Sequence, residues 1–282
     1  MSAFSENEVS PEERLESSFM EIQSAFEASP ESGVDKFTEV VNSLTKGEQA
    51  DPDLAGQLAE RLIEQIPEMP PELQNQLEIK LGEALLYGGH AGNDRLETSL
   101  TYYQQAKKRA GEKLPENLEE VPEAKLTREV SEFLHSTDRM ADLAFLAGDY
   151  ASAEKAFADA FEKRGEISNK ERGPAACAKY GQAASALMIG NIRECLSDLA
   201  EAKKILEDLE DQEPVLFPKI EKLEAVAEAA DELEPDAFTR RLGAMKELLT
   251  KQGGSKGGVK RIDFQEVFDE AEMFESSPEI ET

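Results

Sequence analysis

The sequence predicts an all-α protein built of stacked helical hairpins, and three observations predict it. Apolar residues recur at i, i+3, i+4 and i+7 along most of the chain, with no alternating strand-like run. The stretch Ala141–Ala160, ADLAFLAGDYASAEKAFADA, carries two such stripes on either side of Gly148-Asp149-Tyr150. The pattern then returns in AASALMIGNIRECLSDLAEA, where Ala183, Ala186, Gly190, Asn191, Ile192, Cys195, Leu199 and Ala202 hold the corresponding places. In each copy small residues let two helix backbones approach. Gly148 or Gly190 can take a positive φ that ends the first helix, and Phe157 is the large apolar residue around which the small ones pack.

The small residue Ala141, the Gly148-Asp149-Tyr150 turn, then Ala153, Phe157 and Ala160 resemble the signature of a tetratricopeptide repeat. Thr137 stands where that family has a large residue. The copies are 190 − 148 = 42 residues apart, against about 34 in the common repeat, which calls for longer helices. A third copy lies upstream, with Leu81-Gly82 opening GEALLYGG, extra turn residues GHAGNDR, and Ser99, Tyr103 and Ala106 on the second helix. The resemblance covers roughly residues 72–208, because one repeat cannot bury its own apolar face and needs neighbours. It implies a tetratricopeptide-like solenoid of irregular, long repeats, with capping helices and a C-terminal tail.

In chain order, residues 1–9 are expected to be disordered and 10–252 to form the repeat domain, its best copies at about 72–110, 124–164 and 170–208. Ser10-Pro11-Glu12-Glu13 is a helix start with the makings of a capping box. Leu15, Phe19, Ile22 and Phe26 form the stripe that follows, Ala28 to Gly33 breaks it, and Val34, Phe37, Val40, Val41 and Leu44 resume it. Leu54 to Ile66 is amphipathic, and Met69-Pro70-Pro71 separates it from the helix of Leu73, Leu77, Leu81 and Leu85. GEKLPENLEEVPE, from Gly111 to Glu123, reads as a polar connection, and Val130, Phe133 and Leu134 lead into the central motif. Glu213-Pro214 is expected to open a helix with Leu216, Ile220, Leu223 and Val226 on one face; Pro235 opens another with Phe238, Leu242, Met245 and Leu248. Residues 253–282 form a flexible GGSKGG linker followed by an acidic amphipathic tail with Phe264, Phe268 and Phe274 on roughly one face.

Sixty acidic against 31 basic residues give a formal charge of −29, which disfavours nucleic-acid backbones and anionic membranes and favours a basic partner. Cys177 and Cys195 occupy small-residue positions and read as reduced core residues. His90 and His135 have no Cys-rich context, so no metal site is expected. The start lacks the pattern of a secretory signal and no uncharged run is long enough to span a bilayer, so a soluble, intracellular, cytoplasmic protein is expected. GGSKGG is followed by Val259 where a phosphate loop needs Lys and Ser or Thr, and no catalytic motif occurs elsewhere. No enzyme activity, catalytic residue or cofactor is expected.

In tetratricopeptide arrays the first helix of each hairpin lines a concave groove. The resemblance places Glu83, Leu86 and Tyr87, then His135, Asp138, Asp142 and Phe145, then Tyr180, Ala184, Leu187 and Met188 on that face. Each position also suits plain packing between helices. This implies a scaffold or adaptor that holds a basic, partly apolar peptide or helix of another protein in an acidic, aromatic groove. Two alternatives stand beside it: an acidic chaperone for a basic client, of the histone-chaperone kind, and a regulatory helical domain autoinhibited by its own tail. The tail is expected to fold back onto the repeats.

Overall fold

The computed structural model describes residues 10–45, 50–66, 68–88, 93–114, 128–167, 172–207, 215–251 and 258–275. Every regular element among them is helical: α1 (Pro11–Ala28), α2 (Pro30–Thr45), α3 (Pro52–Ile63), α4 (Pro71–Tyr87), α5 (Asn93–Gly111), α6 (Arg128–Leu146), α7 (Tyr150–Ile167), α8 (Arg172–Met188), α9 (Ile192–Glu207), α10 (Phe217–Asp231), α11 (Pro235–Lys251) and α12 (Phe264–Glu275), with a 3-10 turn at Val259–Arg261. Successive helices pack as pairs, α1 with α2, α3 with α4, α6 with α7 and α8 with α9. No helix among the described residues is long and apolar enough to cross a membrane.

Two compact units divide inside α5, Met1–Tyr102 and Tyr103–Thr282, and the segment after the linker belongs to the second. In the first unit, the capping box forms as its residues dictate. Ser10 Oγ accepts from the Glu13 amide at 3.2 Å, and Glu13 Oε2 accepts from the Ser10 amide at 3.0 Å. The break after it is shorter than expected: α1 ends at Ala28 and α2 begins at Pro30, with only Ser29 between. Gly33 therefore lies inside α2, where a Cβ would meet the Phe26 ring at 2.2 Å. Its role is close packing against α1, not helix termination. Phe19, Ile22, Phe37 and Val41 pack with Leu58 of α3 and with Leu77 and Leu81 of α4 to form the core of this unit.

In the second unit the two central turns share one hydrogen-bond pattern. The Asp149 amide donates to Ala144 O at 2.9 Å and that of Gly148 to Phe145 O at 3.0 Å. Forty-two residues on (190 − 148), the Asn191 amide donates to Ala186 O at 2.8 Å and that of Gly190 to Leu187 O at 2.9 Å. Both are Schellman closures, whose pivot residue must be left-handed; φ is +80° at Gly148 and +89° at Gly190. Ala141, Ala153 and Ala160 are fully buried, as are their counterparts Ala183, Cys195 and Ala202. Cys177 and Cys195 are buried free thiols, and burial, aided by Asp198, pushes the Cys195 thiol up to about 12. α10 begins at Phe217, later than Glu213-Pro214 suggested, and Leu216 packs in the core just ahead of it.

A pair of glycine substitutions separates conformation from space. A Cβ at either Gly148 or Gly165 has no neighbour within 4 Å, but only Gly148 has positive φ. Gly148→Ala should therefore cost about 1–2 kcal/mol of backbone strain, whereas Gly165→Ala, inside α7, should stabilise by about 0.5–1 kcal/mol. Denaturant midpoints moving in the same direction would overturn this reading of the turn.

Candidate docking groove

Within the second unit the chain returns after the linker and packs on α6, α8, α10 and α11. Entry depends on Gly258, which has φ +117° and approaches Asp142 so closely that a Cβ would lie 2.6 Å from Asp142 Oδ2. That approach lets the Val259 amide donate to Asp142 Oδ1 at 2.9 Å. Arg139 donates to Asp142 Oδ2 at 3.1 Å, so a carboxylate only 6% exposed has both a backbone and a cationic donor. Such pairing is what a buried charge requires.

The 3-10 turn then leads to Asp263, whose Oδ1 accepts from the Glu266 amide at 3.3 Å at the start of α12. Lys222 of α10 donates to Asp263 Oδ2 at 2.6 Å, and this hydrogen bond is the main reason the Asp263 carboxyl is held below its ordinary range. Val259, Ile262, Phe264, Val267, Phe268 and Ala271 are all buried. The Phe264 ring stands edge-on to Phe145 at 6.1 Å and to Tyr180 at 6.5 Å between centroids. Arg241 of α11 lies 4.8 Å from the Phe268 ring centroid, and its guanidinium reaches Glu272 at 3.7 Å. An apolar helix face thus meets an aromatic wall, and its acidic outer residues Glu266, Asp269 and Glu272 remain exposed.

At the head of the docked segment the charges alternate. Burial raises the Asp138 carboxyl above its ordinary range, opposed by Arg164, with which it pairs, and by Lys260. The Lys260 residue is exposed, and although local desolvation acts to lower its ammonium, Cys177, Asp138 and Asp142 raise it on balance. Burial, then the Asp263 charge, raises the Tyr180 phenol.

The docked segment thus gathers four of the residues expected to bind a partner: Asp138, Asp142, Phe145 and Tyr180. They are not an open surface. Asp142, which the resemblance places on the groove-lining face, is buried, and its oxygens accept from the chain's own Val259 amide and from Arg139. Leu187 and Met188 are core residues at 1% and 0% exposure, enclosed because α8 has neighbours on several sides. His135 is half-buried with its ring edge-on to Tyr103 at 6.1 Å. Glu83, Leu86 and Tyr87 belong to the first unit and are buried; Glu83 pairs with Lys80 at 2.6 Å. The side chain of Phe274 lies outside the described residues, whereas Phe264 and Phe268 face inward. Sequence reasoning missed Gly258, Lys222 and Arg241. Comparison with known proteins finds no match to this chain among protein-family models, curated proteins or solved structures.

Proposed function

We propose that the chain is a non-enzymatic interaction scaffold of tetratricopeptide-like, solenoid construction. Its second unit holds a segment with a basic head and an apolar helical face, and the C-terminal segment is the resident occupant that a partner displaces. The observation supporting this is the docked segment itself. Lys260 beside Asp138 and Asp142, and Phe264 against Phe145 and Tyr180, supply the basic and apolar chemistry expected of an outside ligand. The paired helices and the two matching Schellman turns support the repeat construction. A chaperone for basic clients draws on the same net charge, but Asp138 and Asp142 are already neutralised by Arg164, Arg139 and the returning chain. That favours a shaped groove over a diffuse acidic surface.

The test is exchange in trans. A synthetic peptide of residues 258–275 should bind the chain truncated after Gly258, and should bind the full chain at least about tenfold more weakly. A tether supplies an effective concentration of order millimolar that a free peptide must overcome. Failure of the truncated chain to bind the peptide, with its helical content intact by circular dichroism, would falsify the reading.

A further inference from the structure

We propose that the recess where the returning segment meets α10 is a binding site for a small organic anion with an apolar body, a phosphate monoester being the type. The recess measures about 380 Å³ and is lined by Tyr180, Val215, Pro218, Ile262 and Phe264 together with Lys219, Lys222, Arg261 and Asp263. Its size and make-up, apolar walls with a few converging polar groups, are those of a small-molecule site.

Three cations and one carboxylate face this space in a chain whose formal charge is −29. Lys222 is matched by Asp263 at 2.6 Å. Lys219 is partly buried, and its ammonium has no hydrogen-bond or ion-pair partner among the described residues. Its ammonium is held below its ordinary range, by burial first, with Arg261, Lys222 and Lys260 adding repulsion and Asp263 opposing. A partly desolvated, crowded cation is relieved by an anion, and the first turns of α10, which carry Lys219 and Lys222, add the positive end of a helix dipole. Lys219 supplies a point charge to a phosphate oxygen. Tyr180 and Phe264 leave an aromatic wall for the ligand's body.

Because Arg261, Ile262, Asp263 and Phe264 come from the returning segment and the other lining residues do not, the site exists only while that segment is docked. An anion bound there must therefore hold the segment in place, by reciprocity between the two equilibria. This inference rests on the docked geometry and not on the groove's role in partner binding.

The experiment titrates the full chain with phenyl phosphate, and separately with inorganic phosphate, at constant ionic strength by calorimetry. Amide exchange is followed across residues 258–275. Phenyl phosphate should bind more tightly than inorganic phosphate and slow exchange in α12. Lys219→Met should weaken it about tenfold to a hundredfold, as loss of a charged hydrogen bond does. Lys204→Met, an equal loss of charge at an exposed position of α9, should change it less than about twofold. No binding by the full chain, equal effects of the two lysine variants, or unchanged exchange in α12 each overturns the proposal. The acidic Glu210, Asp211 and Glu213, which precede Val215 in sequence, supply a further arm. Binding that appears only after their conversion to Gln, Asn and Gln means the recess takes the chain's own carboxylates, and overturns the proposal for an outside ligand.

Discussion

Phe157→Ala should destabilise the second unit by about 3–5 kcal/mol, toward the upper end of what a buried phenylalanine costs. The ring is 5% exposed and lies against the backbone of α8: a Cβ on Gly181 would fall 2.6 Å from it. Truncation leaves a void whose far wall is the helix backbone at Gly181, in a core whose members on the two helices include the fully buried alanines 153, 160 and 176. None of these can swing in to fill it. The cost is therefore the transfer term plus nearly the whole cavity term. Exchange rates of protected amides in α7 and α8 measure it directly, and a loss below about 1 kcal/mol would mean that Phe157 does not organise the hairpin. Lengthening Gly181 tests the same contact from the other side, since Gly181→Ala forces the ring to move and belongs with overpacking changes of about 1–3 kcal/mol.

The local features of both units were legible where each is dictated by a few neighbouring residues. Gly148 and Gly190 stand where a left-handed residue closes a helix, and their spacing showed the repeat before any contact was known. Ser10 and Glu13 are read in the same way, three residues apart. Gly33 misled because glycine marks a helix end and close packing alike; only the position of Phe26 decides between them. Leu187 and Met188 misled for a related reason. A 3.6-residue period shows which faces are apolar, but α8 packs against α6, α7, α9 and α10 and so buries residues on every face, leaving no inner face open. Asp142 and Lys219 were illegible in a stronger sense. Their surroundings are set by a segment beginning 258 − 142 = 116 residues later in one case and 258 − 219 = 39 later in the other. The apolar residues of that segment announced that it would be covered, whereas its partner surface depended on the tertiary fold.

Phe264→Ala in the full chain should release the C-terminal segment while leaving the hairpins intact. Phe264 is 1% exposed and touches two rings, so its truncation removes about 3–5 kcal/mol from docking, on the order of 10² to 10⁴ in the ratio of docked to undocked chain. The Lys222 to Asp263 ion pair holds the same segment but cannot match this. Its side chains are 52% and 36% exposed, and such pairs contribute about 0–1 kcal/mol after solvent screening. Lys222→Ala should accordingly shift docking less than about fivefold. The Asp142 contact lies between the two, since deleting its carboxylate leaves the buried Val259 amide without its acceptor. Amide exchange resolves these effects: α12 and Val259 should lose protection in Phe264→Ala, scarcely change in Lys222→Ala, and α7 and α9 should stay protected in both. Release also frees Phe145 and Tyr180, so the 258–275 peptide should bind Phe264→Ala more tightly than the unaltered chain and Lys222→Ala about equally. If α12 keeps its protection in Phe264→Ala, the aromatic contact is not what holds the segment. If protection is lost but the peptide binds no better, the vacated surface is not a groove for a segment of this kind.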